Sequence, residues 1–185
     1  MRVIVSIIFG LLAHSGIGQS PKNSSPFTID SLLRARQTGA IGKSFPQFTA
    51  LSERQTVSNE AFRGKVVLIN FWFENCLPCM VEMEALNALH HQLKDQKDFL
   101  FVSFTWDKPE AIKRVREKYG LTFGILSVSE AVCRRLNFEN GYPTNIILDR
   151  TGTIKYLHTG GSTNKEKASA FIMTTLLSEI KLELL

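Results

Sequence analysis

The chain has 185 residues, of which 44% are hydrophobic and 21% charged, so it can bury a core and is not a disordered, collagen-like, coiled-coil or polytopic membrane protein. Its 22 lysines and arginines exceed its 17 acidic residues, but they are scattered along the chain, which gives little support for nucleic-acid binding. Three cysteines are too few for a disulfide framework in a chain of this length, so their spacing decides what they do.

The N-terminal residues have the pattern of a secretory signal peptide. A short positive start precedes an apolar run from Val3 to Ala13, and the small residues Gly16 and Gly18 suit a cleavage after Gly18. The run is shorter than the ~20 apolar residues that a membrane span needs. We therefore predict that residues 1–18 are cleaved and that the mature protein is exported, into a periplasmic or other extracytoplasmic compartment where disulfides persist. An uncleaved amphipathic anchor is the alternative.

Residues 19–40 form a predicted leader before the folded domain. The leader begins with a polar, Pro- and Ser-rich stretch that has little to bury, and residues 27–37 are compatible with a short helix. From Ile41 onward the hydrophobic pattern is dense, without an internal repeat or a second linker. Residues 41–185 are therefore predicted to form one domain.

Strands and helices alternate through this domain. Residues 66–73 are a nearly unbroken apolar run, which indicates a central strand covered on both faces, and a helix follows from about Pro78 to Leu93. The later predicted elements are a strand at 99–105, a helix at 109–119 capped by Gly120, a strand at 123–126, a helix at 129–136, a strand at 144–148, a turn at 149–152, a strand at 154–159 and a helix at 165–180. This order predicts an α/β fold with a central mixed sheet flanked by helices.

Cys76 and Cys79 lie where the first buried strand ends and the next helix begins. Residues three apart in a first helical turn share a face, with Cα atoms roughly 5 to 6 Å apart, a separation that a disulfide tolerates. Unpaired N–H groups at the helix start favour the Cys76 thiolate, and Pro78 fits this turn because its missing N–H is not needed there. The predicted chemistry is thiol–disulfide exchange, in which Cys76 attacks a substrate disulfide or is attacked by a substrate thiolate, and Cys79 resolves the mixed disulfide.

A structural staple or half of a zinc site would also use two cysteines. A zinc site needs four ligands, and neither Cys133 nor the histidines show a second paired spacing. We therefore predict no metal, and no cofactor other than the redox-active disulfide itself. Cys133 lies between apolar residues on a short helix and is predicted to be a buried, inert thiol. Trp106, at the end of the second buried strand, is predicted to pack on the core.

Three motifs in this order resemble the thioredoxin superfamily, and in particular its exported TlpA/ResA-like thiol–disulfide oxidoreductases. The motifs are GKSFPQF, GKVVLINFWFENCLPC and YPTNIILDRTG, and the resemblance covers about residues 41–160. It implies a thioredoxin-like fold with an added N-terminal β-hairpin, here at residues 45–57. It also implies that Cys76 is the exposed nucleophile and Cys79 its buried partner.

The same resemblance implies further site residues. Pro143 matches the cis-proline that faces the cysteine pair, and Tyr142 before it would offer backbone groups to an extended substrate strand. Glu82 matches an acidic residue that tunes proton transfer, although it could instead be a solvated helix residue. The residues expected to contact substrate are Tyr142, Pro78 and Trp72.

Two positions depart from the family pattern. Cytosolic thioredoxins have a buried aspartate where this chain has Asn70, so the chain agrees with the exported branch at this position. A tryptophan commonly precedes the first cysteine, where this chain has Asn75. The cysteines themselves are unaffected by either difference.

Three functions are compatible with these motifs. The first is an extracytoplasmic oxidoreductase, predicted to be a monomer and a reductant, which exchanges disulfides with cysteine-containing exported proteins and is supplied with electrons by a membrane-linked or thioredoxin-like donor. The second is a peroxiredoxin-like peroxidase, because peroxiredoxins share the fold and the GxxFPxF opening, but their threonine three residues before the nucleophile is Phe73 here. The third is a non-catalytic binding module that the cysteines only stiffen.

Overall fold

The computed structural model describes residues 38–52 and 55–185. The predicted signal peptide, the segment 27–37 and almost all of the leader lie outside the described residues. Within the described ranges, no helix is both long enough and apolar enough to cross a membrane.

The described residues form a seven-stranded mixed sheet. The strands are β1 (Thr49–Leu51), β2 (Thr56–Ser58), β3 (Val66–Phe71), β4 (Phe99–Thr105), β5 (Gly124–Ser127), β6 (Thr144–Leu148) and β7 (Ile154–Thr159). Their order across the sheet is β2-β1-β5-β4-β3-β6-β7. Strands β3, β4 and β5 run parallel, whereas β6 is antiparallel to β3 and β7 is antiparallel to β6.

Helices pack on both faces of the sheet. They are α1 (Leu77–Leu93), α2 (Pro109–Tyr119), α3 (Glu130–Leu136), α4 (Lys165–Ala170) and α5 (Leu177–Leu184), with a π-helical turn (Phe171–Leu176) between the last two. Val66 and Leu68 of β3 join the buried cluster under α1, α2 and α5, whereas Val67 and Ile69 join the cluster under α3 and the N-terminal segment. Successive residues of β3 thus bury opposite faces, which explains the unbroken apolar run in its sequence.

The predicted α/β fold is confirmed. Several elements begin or end one or a few residues from their predicted bounds, and the hairpin, β3 and the last helix are among them. The N-terminal β-hairpin is formed by β1 and β2, and it extends one residue beyond the predicted segment to Ser58. Strand β3 ends at Phe71 rather than at residue 73, because the chain there turns towards α1. The last helix continues to Leu184 through the π-helical turn, where the Thr174 hydroxyl donates to the carbonyl of Ala170 at 2.6 Å.

Candidate active site

The cysteine pair lies at the junction between β3 and α1. Cys76 is the N-cap residue of α1, and its Sγ accepts a hydrogen bond from the N–H of Cys79 at 3.3 Å. The N–H of Cys76 donates to the carbonyl of Phe73 at 3.0 Å, which holds the connecting turn. Pro78 occupies the first turn of α1, where the missing N–H removes no helical bond, as the sequence predicts.

Cys76 and Cys79 are joined by a disulfide, with a Cα–Cα distance of 5.2 Å. Only 6% of Cys76 and 1% of Cys79 is exposed, so the predicted order of exposure is right but Cys76 is less exposed than predicted. The reason is that the disulfide belongs to a buried cluster, against which Phe73 and Tyr142 also pack. A substrate sulfur can therefore reach Cys76 only through the small part of this residue that is exposed to solvent.

The predicted cis-proline lies at the start of β6. The Tyr142–Pro143 peptide bond is cis, and the carbonyl of Pro143 accepts a hydrogen bond from the N–H of Gly160 at 2.8 Å. Among the described residues, no backbone group bonds to the N–H or the carbonyl of Tyr142. These two groups are therefore available to an extended peptide, which is the role predicted for Tyr142.

Three aromatic side chains form a stack beside this segment. The rings of Phe73 and Trp106 stack with centroids 4.8 Å apart, and the ring of Tyr142 packs edge-on against both, at 5.5 and 4.9 Å. Trp106 thus packs on other rings, in line with its predicted structural role. The Tyr142 hydroxyl donates to Cys133 Sγ at 3.8 Å, so this side chain points into the protein.

The prediction that Trp72 contacts substrate is wrong. Its side chain is fully buried, and its indole Nε1–H donates to the hydroxyl of Ser103 at 3.1 Å. The N–H of Trp72 still bonds to the carbonyl of Phe104, so the residue follows the course of β3 and its side chain enters the core. The closeness of Trp72 to Cys76 in the sequence suggested a surface position, but the strand geometry directs its side chain into the core.

Trp72→Phe is expected to lower the free energy of unfolding by about 1 to 3 kcal/mol, because it leaves a small cavity and removes the hydrogen bond to the Ser103 hydroxyl, which keeps its bond to the carbonyl of Gly124 at 3.4 Å. The rate of disulfide reduction per folded molecule should not change. Urea denaturation and a disulfide-reduction assay measure the two quantities, with Ser103→Ala as the control that removes the hydroxyl and its bonds to Trp72 and Gly124 but keeps the indole ring. A slower reaction at unchanged stability would restore the substrate-contact role.

Glu82 is buried on the same side of α1 as Cys79. Only 1% of the residue is exposed, so the alternative of a solvated helix residue is wrong. Burial disfavours the charged form and raises the pKa of Glu82 to about 7, against an opposing hydrogen bond in which Asn145 Nδ2 donates to Oε2 at 3.5 Å. Both protonation states of this carboxyl are therefore populated near neutral pH.

Asn145 connects Glu82 to the sheet. Asn145 on β6 is opposite Asn70 on β3, and Asn70 Nδ2 donates to Asn145 Oδ1 at 2.9 Å. Both amides are buried. Sequence analysis missed Asn145, although a buried amide within the otherwise apolar end of this strand is the kind of signal that indicates a polar partner.

Gly161 closes the other side of the site. A Cβ atom at this position would lie 2.7 Å from Glu82 Oε1 and 2.8 Å from Pro143 Cγ, which is closer than these atoms can approach. Glycine is therefore required here by close contact. A cavity of about 460 Å³ lies beside this contact, lined by residues that include Glu82, His158 and Gly161. The Gly160–Gly161 pair after a strand could have indicated such a contact from sequence.

Comparison with known proteins agrees with this geometry. The sequence model of the AhpC/TSA family matches residues 41–157. The chain belongs to this family. It is 36% identical over 130 residues to the thioredoxin-like protein YneN of Bacillus subtilis (strain 168), a match that covers 68% of this chain and 75% of that protein.

Two further comparisons give the branch of the family and the fold. The chain is 30% identical over 119 residues to the thiol–disulfide oxidoreductase ResA of Halalkalibacterium halodurans, covering 61% of this chain and 64% of ResA. The crystal structure of a putative thiol:disulfide interchange protein DsbE from Chlorobium tepidum superposes with a TM-score of 0.67 at 23% identity, covering 78% of this chain and 97% of that one. This AhpC/TSA family member is thus a thiol–disulfide oxidoreductase with a thioredoxin-like fold and a CxxC pair, and its substrates are thiol-containing proteins.

Other chemistry-bearing side chains of this AhpC/TSA family protein lie apart from the cysteine pair. Cys133 is fully buried, as predicted, and burial raises the pKa of its thiol to about 12. His90 is half-buried with its Nδ1 2.8 Å from the Thr122 hydroxyl, whereas its neighbour His91 is exposed. Within the described part of the chain, no three His, Cys, Asp or Glu side chains are grouped as metal ligands would be.

Proposed function

We propose that this protein is exported and reduces disulfide bonds in other exported proteins. The observation that carries the proposal is the Cys76–Cys79 disulfide at the start of α1, next to the unpaired backbone groups of Tyr142. The signal-peptide pattern of residues 1–18 and the similarity to ResA support the extracytoplasmic location. We infer a monomer that receives its electrons from a membrane-linked or thioredoxin-like donor.

The reaction starts from the reduced pair. The Cys76 thiolate attacks one sulfur of the substrate disulfide, a mixed disulfide forms, and the other substrate sulfur leaves as a thiolate. Cys79 then loses its proton and attacks Cys76 Sγ, so that the second substrate sulfur leaves and the Cys76–Cys79 disulfide forms. Two electrons pass to the substrate, and an external dithiol donor returns them.

Glu82 is the group proposed to take the proton of Cys79. The two residues are three apart on α1, so their Cβ atoms are about 5 to 6 Å apart on one helix face, and both are buried. A carboxyl whose pKa is raised to about 7 can accept a proton and return it near neutral pH. Bulk water has no comparable access to Cys79, because only 1% of that residue is exposed.

The surface next to the disulfide suits an extended peptide. Leu77 is 63% exposed, between the two cysteines, and faces a groove of about 410 Å³ that Met80 and Tyr119 also line. A substrate strand paired with the backbone of Tyr142 would place its cysteine at Cys76. Its apolar neighbours would then contact Leu77 and the groove.

A peroxidase function has less support from this geometry. The position where peroxiredoxins have a peroxide-orienting threonine is Phe73, and its ring is stacked on Trp106. No hydroxyl is available there. Reduced protein is accordingly expected to consume hydrogen peroxide no faster than the Cys76→Ser variant.

The reduction potential of the Cys76/Cys79 pair tests the proposed direction. After equilibration with dithiothreitol buffers, the expected value is at or below that of thioredoxin, about −270 mV. A value near that of the oxidant DsbA, about −120 mV, would overturn the reductant role, and a pair that dithiothreitol cannot reduce would favour the non-catalytic module. The location is tested by cell fractionation of the full chain, with recovery of an uncleaved protein in the cytosol as the contradicting result.

A further inference from the structure

The buried amide of Asn145 links the proton-accepting carboxyl to the central sheet. We propose that Asn145 is a positioning residue that holds the Glu82 carboxyl in the orientation in which it exchanges a proton with Cys79. The proposal rests on the proposed role of Glu82 in that exchange, and it assigns to Asn145 a role that acts through Glu82 without contact with the substrate.

The amide orientation of Asn145 is determined by its two neighbours. Asn70 lies directly opposite on β3, and its Nδ2 donates to Asn145 Oδ1 at 2.9 Å. This leaves Asn145 Nδ2 as the group that faces Glu82 Oε2. In the reverse orientation, the amide oxygen of Asn145 would face the Glu82 carboxylate, and its NH2 group would face the NH2 group of Asn70. Both hydrogen bonds would then be lost. The pair of asparagines therefore presents a donor to Glu82.

The length of the contact matters as much as its direction. At 3.5 Å, the distance from Asn145 Nδ2 to Glu82 Oε2 is at the long limit for a hydrogen bond. A short charge-assisted bond would stabilise the carboxylate strongly and hold its pKa well below neutral. Desolvation remains the larger effect here, so the carboxyl is oriented by the amide while both of its protonation states stay accessible.

The second carboxyl oxygen faces the other way. Glu82 Oε1 has no hydrogen-bond partner in the described part of the chain, and it points towards Gly161 and the adjoining cavity. Of the ionisable side chains on the elements around it, His158 on β7 and Lys167 on α4 line the same cavity, Cys79 is three residues away on α1, and Tyr156 on β7 packs against the buried cluster that contains Cys79. None of them is hydrogen-bonded to Glu82 among the described residues, and burial lowers the pKa of His158, which disfavours its charged form. Asn145 is therefore the one described polar side chain that orients the carboxyl.

The resolving step can be measured directly with dithiobis(nitrobenzoate), an aromatic disulfide that releases a coloured thiolate. One equivalent of reagent is mixed with reduced protein, so the first release reports the attack of Cys76 and the second reports the attack of Cys79. The rate of the second release is recorded from about pH 5 to about pH 9. In the wild type it should rise through the pKa of Glu82.

Asn145→Leu keeps the size of the side chain and removes the donor. Its pH profile for the second release is expected to shift upward by about one pH unit, because the carboxylate loses a stabilising contact. The first release should be unchanged. In the Glu82→Gln background, Asn145→Leu should produce no further shift, which distinguishes an effect through Glu82 from a general structural effect.

Two further variants keep the test decisive. Asn70→Leu combined with Asn145→Leu replaces both amides by apolar groups and so avoids an unpaired buried amide if the single variant folds poorly. Gly161→Ala disturbs the carboxyl from the opposite side, and Gly141→Ala is its control, because a Cβ there would lie at an ordinary 3.6 Å from Thr159 Cγ2. Gly161→Ala should also shift the profile upward, and Gly141→Ala should not.

The outcomes separate this inference from the proposed function. If Glu82→Gln has the same pH profile as the wild type, the role of Glu82 itself fails. If Glu82→Gln changes the profile but neither leucine variant does, only the role of Asn145 fails. An equal slowing of both releases at every pH would likewise overturn it, since a positioning residue for Glu82 acts on the second step alone.

Discussion

Replacing Cys76 with serine is expected to abolish disulfide reduction, with a rate at least about a thousand-fold lower than that of the wild type. Serine has nearly the same size but is not a comparable nucleophile at neutral pH. The N–H of Cys79 points at the Cys76 sulfur at 3.3 Å and can stabilise the negative charge of its thiolate. A serine hydroxyl stays neutral at this pH and has no such charge to stabilise. Turnover is measured by insulin reduction with dithiothreitol as the electron donor, after urea denaturation has shown that the variant is folded.

Cys79→Ser and Cys133→Ser complete this comparison. Cys79→Ser should still form the mixed disulfide through Cys76 but not resolve it, so a covalent complex with substrate accumulates and is visible on a non-reducing gel. Cys133→Ser should turn over normally, because Cys133 is fully buried and belongs to a different buried cluster from the one that contains the pair. Normal turnover in the Cys76 variant, or no covalent complex in the Cys79 variant, would exclude the proposed exchange.

These expectations depend on the part of the site that could be predicted from sequence. The bounds of β4, α2, β6 and β7 match their predicted ranges, because each element has a local signal such as an apolar run, Pro109 at a helix start or Gly120 at a helix end. The cysteine pair was found in the same way. Spacing and position at a strand-to-helix junction are both properties of neighbouring residues.

The residues that were missed or misplaced depend on contacts between distant segments. Asn145 reaches Glu82 across 63 positions of the chain, and no local pattern shows that these two side chains meet. Gly161 is needed because it lies against Glu82 and Pro143, which only the packed fold brings together. Trp72 was misplaced because a local pattern was given too much weight. Its proximity to Cys76 in the sequence does not determine which face of the sheet its ring occupies.

Glu82 is also expected to make the protein less stable as the pH rises. Its pKa is raised from 4.5 to about 7 in the folded protein, so between these values the folded state holds a proton that the unfolded state has lost. The free energy of unfolding should therefore be highest below the unfolded pKa and should fall as the pH rises through about 7. The size of this loss is about 3 kcal/mol, because the residue is almost fully buried.

Glu82→Gln isolates this effect, because glutamine is similar in size to the protonated carboxyl and does not ionise. The variant and the wild type should have similar unfolding free energies near pH 4, and the variant should be more stable by about 3 kcal/mol near pH 8, as measured by urea denaturation of the oxidised proteins. Glu84→Gln is the matched control on α1, since the Glu84 side chain is 57% exposed in a surface ion pair with Lys165 that contributes little. A parallel pH dependence in the wild type and Glu82→Gln would mean that Glu82 remains ionised in the folded state. Such a carboxylate could not carry a proton at neutral pH, so the same measurement bears on the reaction as well as on stability.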